Sequence, residues 1–142
     1  GRIVMNRFVF AASFAAAVLA APALAAPVKF DCTGSKAAAA RKIAAGNDLK
    51  LGMHREACFG ELELYPGSRK QIVVAAPGAG CAAKLVNVYD RSRAGPWYAL
   101  FKRPVCGTAV SVGPKSPWGD NMITIDRTSY YEKGDDWVPL RR

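Results

Sequence analysis

Apolar positions follow two regimes along this chain. From Phe8 to Leu19 they are almost unbroken, with Ser13 the single polar residue, whereas beyond Cys58 they come in short bursts that alternate with polar residues. Alternation with a period of two marks a half-buried strand, because successive side chains leave opposite faces of the backbone. Cys58, Leu62 and Leu64 share one such face, and Phe59, Glu61, Glu63 and Tyr65 share the other. Pro66-Gly67-Ser68 supplies turn chemistry, and Gln71 to Ala76, centred on Ile72-Val73-Val74, reads as the return strand of a hairpin. After a turn at Pro77-Gly78-Ala79-Gly80, Lys84 to Asp90 alternates again, with Val86 and Val88 on one side and Leu85, Asn87 and Tyr89 on the other. Trp97 to Lys102, Val105 to Val112 and Asn121 to Asp126 are further strand candidates. Tyr130-Tyr131 and Trp137-Val138 suit a last hairpin around Lys133-Gly134-Asp135-Asp136.

Upstream, Val28 to Cys32 reads as a short first strand. Ser35 to Ala45, rich in alanine, reads as a helix with Ser35 as N-cap and Gly46 as its stop. With little apolar bulk beyond Ile43, that helix is expected to pack lightly on a sheet or to cross an opening. The expected fold is all-β: a small antiparallel barrel or sandwich of about seven or eight strands with one short N-terminal helix.

The unbroken apolar run has a different meaning. Met5 reads as a start, with Gly1 to Val4 an upstream extension. Asn6-Arg7 forms a short basic region, and Ala23-Leu24-Ala25 ends the run with small residues. A basic start, an apolar centre and a small-residue exit together describe a secretory signal peptide. The run is too short for a membrane anchor, which needs roughly 20 apolar residues, and Pro22 breaks it. Removing the first 25 of the 142 residues leaves a single domain of 117 residues, 26–142, expected in the periplasm or medium of a bacterium, with no membrane span of its own.

Export changes the reading of Cys32, Cys58, Cys81 and Cys106. Spaced more than 20 residues apart and with His54 the sole histidine, they lack the close ligand pairs of a zinc site and the Cys-x-x-Cys of a thiol oxidoreductase. Two disulfides are expected, and Cys58–Cys81 with Cys32–Cys106 is the favoured pairing, since Cys58 and Cys81 flank the first hairpin. No metal or cofactor is called for. The net charge of +9 falls to +7 without Arg2 and Arg7, and a basic surface favours acidic partners. The basic residues are scattered, so nucleic acid is not an expected partner.

Catalytic chemistry has few candidates. A serine or cysteine hydrolase needs a histidine base, and His54 stands alone beside Arg55 with no Gly-x-Ser-x-Gly elbow in the chain. Glu61 and Glu63 share a strand face and offer a carboxylate pair, with Asp120, Asp126, Asp135 and Asp136 elsewhere. Arg91, Arg93, Trp97 and Tyr98, with Trp118 on a second loop, are the candidate binding residues, because Arg, Trp and Tyr most often anchor protein interfaces.

One stretch resembles a known family. Cys58-x-x-x-Leu62-x-Leu64, then Ala79-Gly80-Cys81, then Leu85 and Val88, is similar to the strand pattern of the Inh-type metalloprotease inhibitors, small periplasmic β-barrels of Gram-negative bacteria, and Asn121 to Asp126 resembles their later Leu-x-Leu-x-Asp strand. Phe30-Asp31-Cys32-Thr33-Gly34 resembles a motif of periplasmic lysozyme inhibitors. The early Gly-x-Trp of the first family and the Ser-Gly-Lys-Tyr loop of the second are missing, so no functional residue is carried over. The resemblance implies an exported, non-enzymatic binding protein that inhibits a hydrolase, either protease or lysozyme. A peptidoglycan- or envelope-binding module and a small carboxylate-dependent hydrolase are the alternatives.

Overall fold

A computed structural model describes residues 25–141. The signal-peptide reading of residues 1–25 falls almost wholly outside them. Among these residues one helix, α1 (Ser35–Gly46), is followed by a short 3-10 turn (Lys50–Met53) and nine strands: β1 (Cys58–Leu62), β2 (Gln71–Gly78), β3 (Cys81–Arg91), β4 (Trp97–Ala99), β5 (Val105–Gly107), β6 (Val110–Lys115), β7 (Asn121–Ile125), β8 (Thr128–Lys133) and β9 (Asp136–Pro139). All named pairings are antiparallel. β1 to β4 run in order through one sheet, with β5 beside β4 along β3. β6 to β9 form a second sheet, also in chain order.

The molecule has three layers, and the apolar pattern shows why. Val73, Ala75, Val86 and Val88 face the second sheet, where they meet Val110, Ile123, Ile125 and Trp137. Ile72, Val74, Ala76 and Tyr89 face the other way, toward Ala37 and Ala44 of α1. β2 is therefore buried on both faces, which is why Ile72 to Ala76 shows no polar alternation. Among the described residues no helix covers the outer face of the second sheet, and β8 accordingly reads Thr-Ser-Tyr-Tyr-Glu-Lys, with none of its residues fully buried. Each fully buried valine of β2 and β3 contributes roughly 1.5–3 kcal/mol relative to exposure.

The first-strand expectation over Val28 to Cys32 needs correction. This segment makes a single bridge, Asp31 with Phe59. Before it, the Val28 and Ala25 N–H groups donate to the Val110 and Val112 carbonyls of the second sheet. Residues 25–31 thus lace the two sheets together along the β1–β6 edge. The crossing is close: a Cβ on Gly60 would lie 2.3 Å from the Val28 side chain and 2.9 Å from the Lys29 carbonyl oxygen.

Asp31 also replaces the expected helix cap. Ser35 is the first helical residue, Gly34 is the N-cap, and no side chain at that position bonds the helix. The Asp31 carboxylate instead accepts from the Gly34 N–H at 2.8 Å and the Ala37 N–H at 3.1 Å, satisfying donors that the first turn leaves open. Arg41 fastens the helix to β1 by donating to the carbonyls of Ala57 (2.6 Å), His54 and Cys32 while lying over the Phe59 ring.

Two expected strands are interrupted. Trp97 to Lys102 pairs only to Ala99, because β4 and β5 pair with β3 in registers that differ by three residues. The intervening bulge drives Leu100 and Phe101 into the core, and the Asn87 side chain replaces the lost ladder by bonding both N–H and C=O of Phe101. Val105 to Val112 breaks at Thr108-Ala109, whose N–H groups both donate to the Asp126 carboxylate. There the chain leaves one sheet for the other.

The cysteines pair as Cys32–Cys58 and Cys81–Cys106, not as Cys58–Cys81 and Cys32–Cys106. The hairpin partner of β1 is β2, which carries no cysteine and separates β1 from β3. Cys58 is opposite Ala75 and Cys81 opposite Gly78, so a full strand lies between them, and bridged Cα atoms must lie within about 7 Å. Non-reducing peptide mapping should recover the 32–58 and 81–106 peptides. Removing either bridge should cost about 3 kcal/mol in denaturant unfolding, as expected for loops of this size. Gly60→Ala should cost about 1–3 kcal/mol by forcing Val28 and Lys29 off β1; an unchanged midpoint would contradict the close crossing.

Candidate functional site

In a meander every turn falls at one end or the other. Residues 63–70, 92–96, 116–120 and 134–135, which join β1–β2, β3–β4, β6–β7 and β8–β9, lie at one end. The Asn121 side-chain amide donating to the Leu64 carbonyl at 2.6 Å holds the two sheets in this alignment. Residues 79–80, 108–109 and 126–127 lie at the opposite end, which also holds the start of β1, the start of β3 and β5, and so both disulfides. One end is covalently fixed, and the other carries four hairpin turns.

The hairpin end carries the exposed rings. Among the described residues the exposed large apolar side chains are Met53, Tyr65 (47%), Tyr98 (45%) and Trp118 (55%), and the last three all lie there. Trp118 is braced edge-on by Tyr131, with ring centroids 4.9 Å apart. Burial first, and then the carboxylates of Asp120 and Glu132, hold the Tyr65 hydroxyl above its usual pKa. Burial, Asp90 and Glu132 among others act in the same direction on Tyr98. Glu132 therefore lies within electrostatic reach of both rings.

Beneath them sits the polar node of this end. Asp90 accepts from Arg69 Nε at 3.0 Å, from the Gln71 amide at 3.3 Å and from the Tyr98 hydroxyl at 3.3 Å. Gln71 in turn accepts from the Leu64 N–H at 2.9 Å. Burial opposes the charge on Asp90, but hydrogen bonds from Arg69, the Arg91 backbone and Gln71 outweigh it, and its pKa lies below the ordinary aspartate value. One buried carboxylate thus ties the β1–β2 turn to β3 and β4.

The residues singled out from sequence divide here. Arg91 and Trp97 are cross-strand partners, as are Asp90 and Tyr98. The strand pleat therefore sends Trp97 and Tyr98 to opposite faces. Trp97 is half-buried and packs with the apolar cluster on the α1 side, whereas Tyr98 follows Asp90 toward the second sheet. Arg91 and Arg93 are exposed. Tyr98 and Trp118 share the hairpin end, and Trp97 is set apart as a packing residue. Tyr65 escaped the sequence analysis because it was placed in the alternation of β1; the strand ends at Leu62, and Tyr65 accepts the Ser68 N–H at the head of the next turn. The Pro66-Gly67 that follows was the available signal.

The carboxylates are largely engaged in the fold. Glu63 accepts from the Gly67 N–H, Asp126 from Thr108 and Ala109, Asp136 from the Lys102 and Trp137 N–H groups, and Asp135 pairs with Lys102. Glu61 is exposed at the β1 edge, beside a groove of about 470 Å³ between α1 and β1. The His54 Nδ1 accepts the Glu56 N–H within its own turn. Among the described residues no cluster of three His, Cys, Asp or Glu could hold a metal ion, and no helix is long and apolar enough to cross a membrane. Comparison with protein-family models, curated proteins and solved structures found no match.

Asp90→Asn should reduce stability at neutral pH by about 1–2 kcal/mol, a modest value because Arg69 is half in solvent. A folded pKa below the unfolded one contributes stability above the unfolded pKa, and that stability is lost as pH falls through the folded value. The gap between wild type and variant should therefore close as pH falls below the ordinary aspartate range in a pH series of urea unfolding curves. A gap independent of pH would contradict the assignment.

Proposed function

We propose that this chain is an exported, periplasmic or secreted, binding protein that acts as a hydrolase inhibitor, and that its contact surface is the hairpin end. The observation that carries the reading is the gathering of Tyr65, Tyr98 and Trp118, exposed, at the end opposite both disulfides. Exposed rings cost hydration free energy, and large exposed apolar groups gathered in one place mark interaction sites. The rings here are preorganised: Tyr131 braces Trp118, and Asp90 holds the Tyr98 hydroxyl. Rings fixed before binding lose little side-chain entropy on association. Arg93, exposed in the adjoining β3–β4 turn, adds arginine to the Tyr and Trp composition of interface anchors, whereas Arg91 pairs with Trp97 and leaves on the α1 side.

The engagement of Glu63, Asp90, Asp126, Asp135 and Asp136 in hydrogen bonds that hold turns and strands together favours binding over carboxylate catalysis. The resemblance of the β1 and β7 segments to small inhibitor barrels supports a hydrolase as partner. Under this reading export exposes the cysteines to an oxidising compartment, and the two bridges hold the far end of the domain rigid.

The test is a titration of the oxidised chain from Ala26 against lysozymes and secreted metalloproteases, with residual enzyme activity as the signal. Saturable loss at one-to-one stoichiometry is the expected result. Trp118→Ala and Tyr98→Ala should each weaken the complex about tenfold or more, with near-UV circular dichroism confirming the fold. Unchanged inhibition by both variants would move the surface elsewhere, and no inhibition across the panel would remove the hydrolase.

A further inference from the structure

One edge of the first sheet is only partly covered. β1 is its outermost strand, and residues 25–31 pair with it at a single position. There the Phe59 N–H donates to the Asp31 carbonyl at 2.8 Å, and the Asp31 N–H to the Phe59 carbonyl at 2.7 Å. Backbone groups along a strand point to alternate sides. Gly60 and Leu62 therefore turn theirs inward to β2, and Glu61, like Phe59, turns both of its own outward. A continued ladder would set Lys29 opposite Glu61. The segment instead crosses close against Gly60 to the second sheet, where the Val28 N–H donates to the Val110 carbonyl. Among the described residues the Glu61 N–H and C=O have no backbone partner. The Glu61 side chain leaves on the same face as Phe59, beside the groove of about 470 Å³ between α1 and β1, which Ile43, Phe59 and Ile72 line with apolar surface.

We propose that this edge takes up an extended peptide segment of a partner protein, hydrogen-bonded to the Glu61 N–H and C=O and laying an apolar side chain into the groove. An extended chain already occupies the adjoining position at Phe59, and the added segment continues that ladder. A strand added to an open edge satisfies main-chain groups, and a pocket beside it selects side chains. The charges at the groove are balanced, with Lys29, Lys36 and Lys70 against Asp31, Glu61 and Glu63. Neither a wholly acidic nor a wholly basic ligand matches them, whereas a peptide main chain brings a donor and an acceptor without net charge. A second copy of this chain is disfavoured. Antiparallel pairing of two β1 edges through these groups would oppose Glu61 to the copy's Glu61 or Glu63, and like charges directly opposite destabilise a ladder. The site is separate from the three rings of the hairpin end and does not rest on their role.

The probes are end-blocked dodecapeptides selected from a random displayed library on the oxidised chain from Ala26 and then resynthesised. Affinity is measured by titration, and amide exchange is followed residue by residue. In the protein alone the Glu61 amide should exchange faster than those of Gly60 and Leu62, and bound peptide should slow it. Glu61→Pro removes the outward donor, which an edge strand tolerates, and should weaken binding about tenfold or more. Glu61→Gln keeps the N–H and should change affinity by less than about threefold. Ala39→Trp, at an exposed position lining the groove, should also weaken binding while leaving β1 and β2 untouched, and it stands in if the proline variant fails to fold. Equal loss with Glu61→Gln and Glu61→Pro would overturn the backbone pairing, and unchanged binding by Glu61→Pro and Ala39→Trp would overturn the site. Recovery of no peptide, or of peptides that leave Glu61 exchange unchanged, would also overturn it. Slowing of Glu61 exchange by raised protein concentration alone would make a second copy the occupant and overturn the peptide.

Discussion

The structure depends most on the pairing of Asp31 with Phe59. Through it the residues leaving the second sheet at Val110 and Val112 are handed to the first sheet at β1. The same residue caps α1 with its carboxylate, and the next residue is bridged to Cys58, the neighbour of Phe59. A backbone bridge, a helix cap and a covalent bond converge within two residues on each side. Each constrains the others: the cap fixes where the helix starts, the disulfide fixes the chain after it, and the bridge fixes the sheet edge that both adjoin. Arg41, bonded to the carbonyls of Cys32, His54 and Ala57, closes the same junction from the helix side. Gly60 is required because the lacing segment passes where a Cβ would stand.

That concentration of constraints at one end has a counterpart at the other. The second disulfide, Cys81–Cys106, also lies away from the hairpin turns. Asp126 gathers Thr108 and Ala109 at that same end. The hairpin end instead rests on noncovalent ties: Asp90 with its three partners, Asn121 to Leu64, and Trp118 on Tyr131. Turns supported by a fixed scaffold are where binding surfaces are most often built, because they can carry large exposed side chains without disturbing the core.

Much of this was legible in the sequence, for physical reasons that particular residues show. The alternation of Val86 and Val88 against Tyr89 separates two faces, and the structure places them in two clusters. Gly134 adopts a positive φ in the turn of the last hairpin, where the Gly-Asp signal placed it. Contacts that join distant residues were hidden. The cysteine pairing depends on which strand lies between two others, and periodicity along one strand does not encode that. Ser35 and Asp31 are both good cap residues, and only the path of the chain before the helix decides between them. The break at Thr108-Ala109 depends on a carboxylate 18 residues away. At the candidate site, residue type singled out Tyr98 and Trp118, which the structure places at one end of the molecule, yet the pleat that separates Trp97 from Tyr98 needed the exact register of β4.

Whether the hairpin end is the contact surface is decided by amide hydrogen exchange of the oxidised domain with and without a bound hydrolase. Contact there slows exchange in residues 63–70, 91–98 and 116–120 and leaves residues 79–81 and 106–109 at the disulfide end unchanged. Slowed exchange confined to α1 and the β1 edge, with residues 91–98 and 116–120 unaffected, would contradict it.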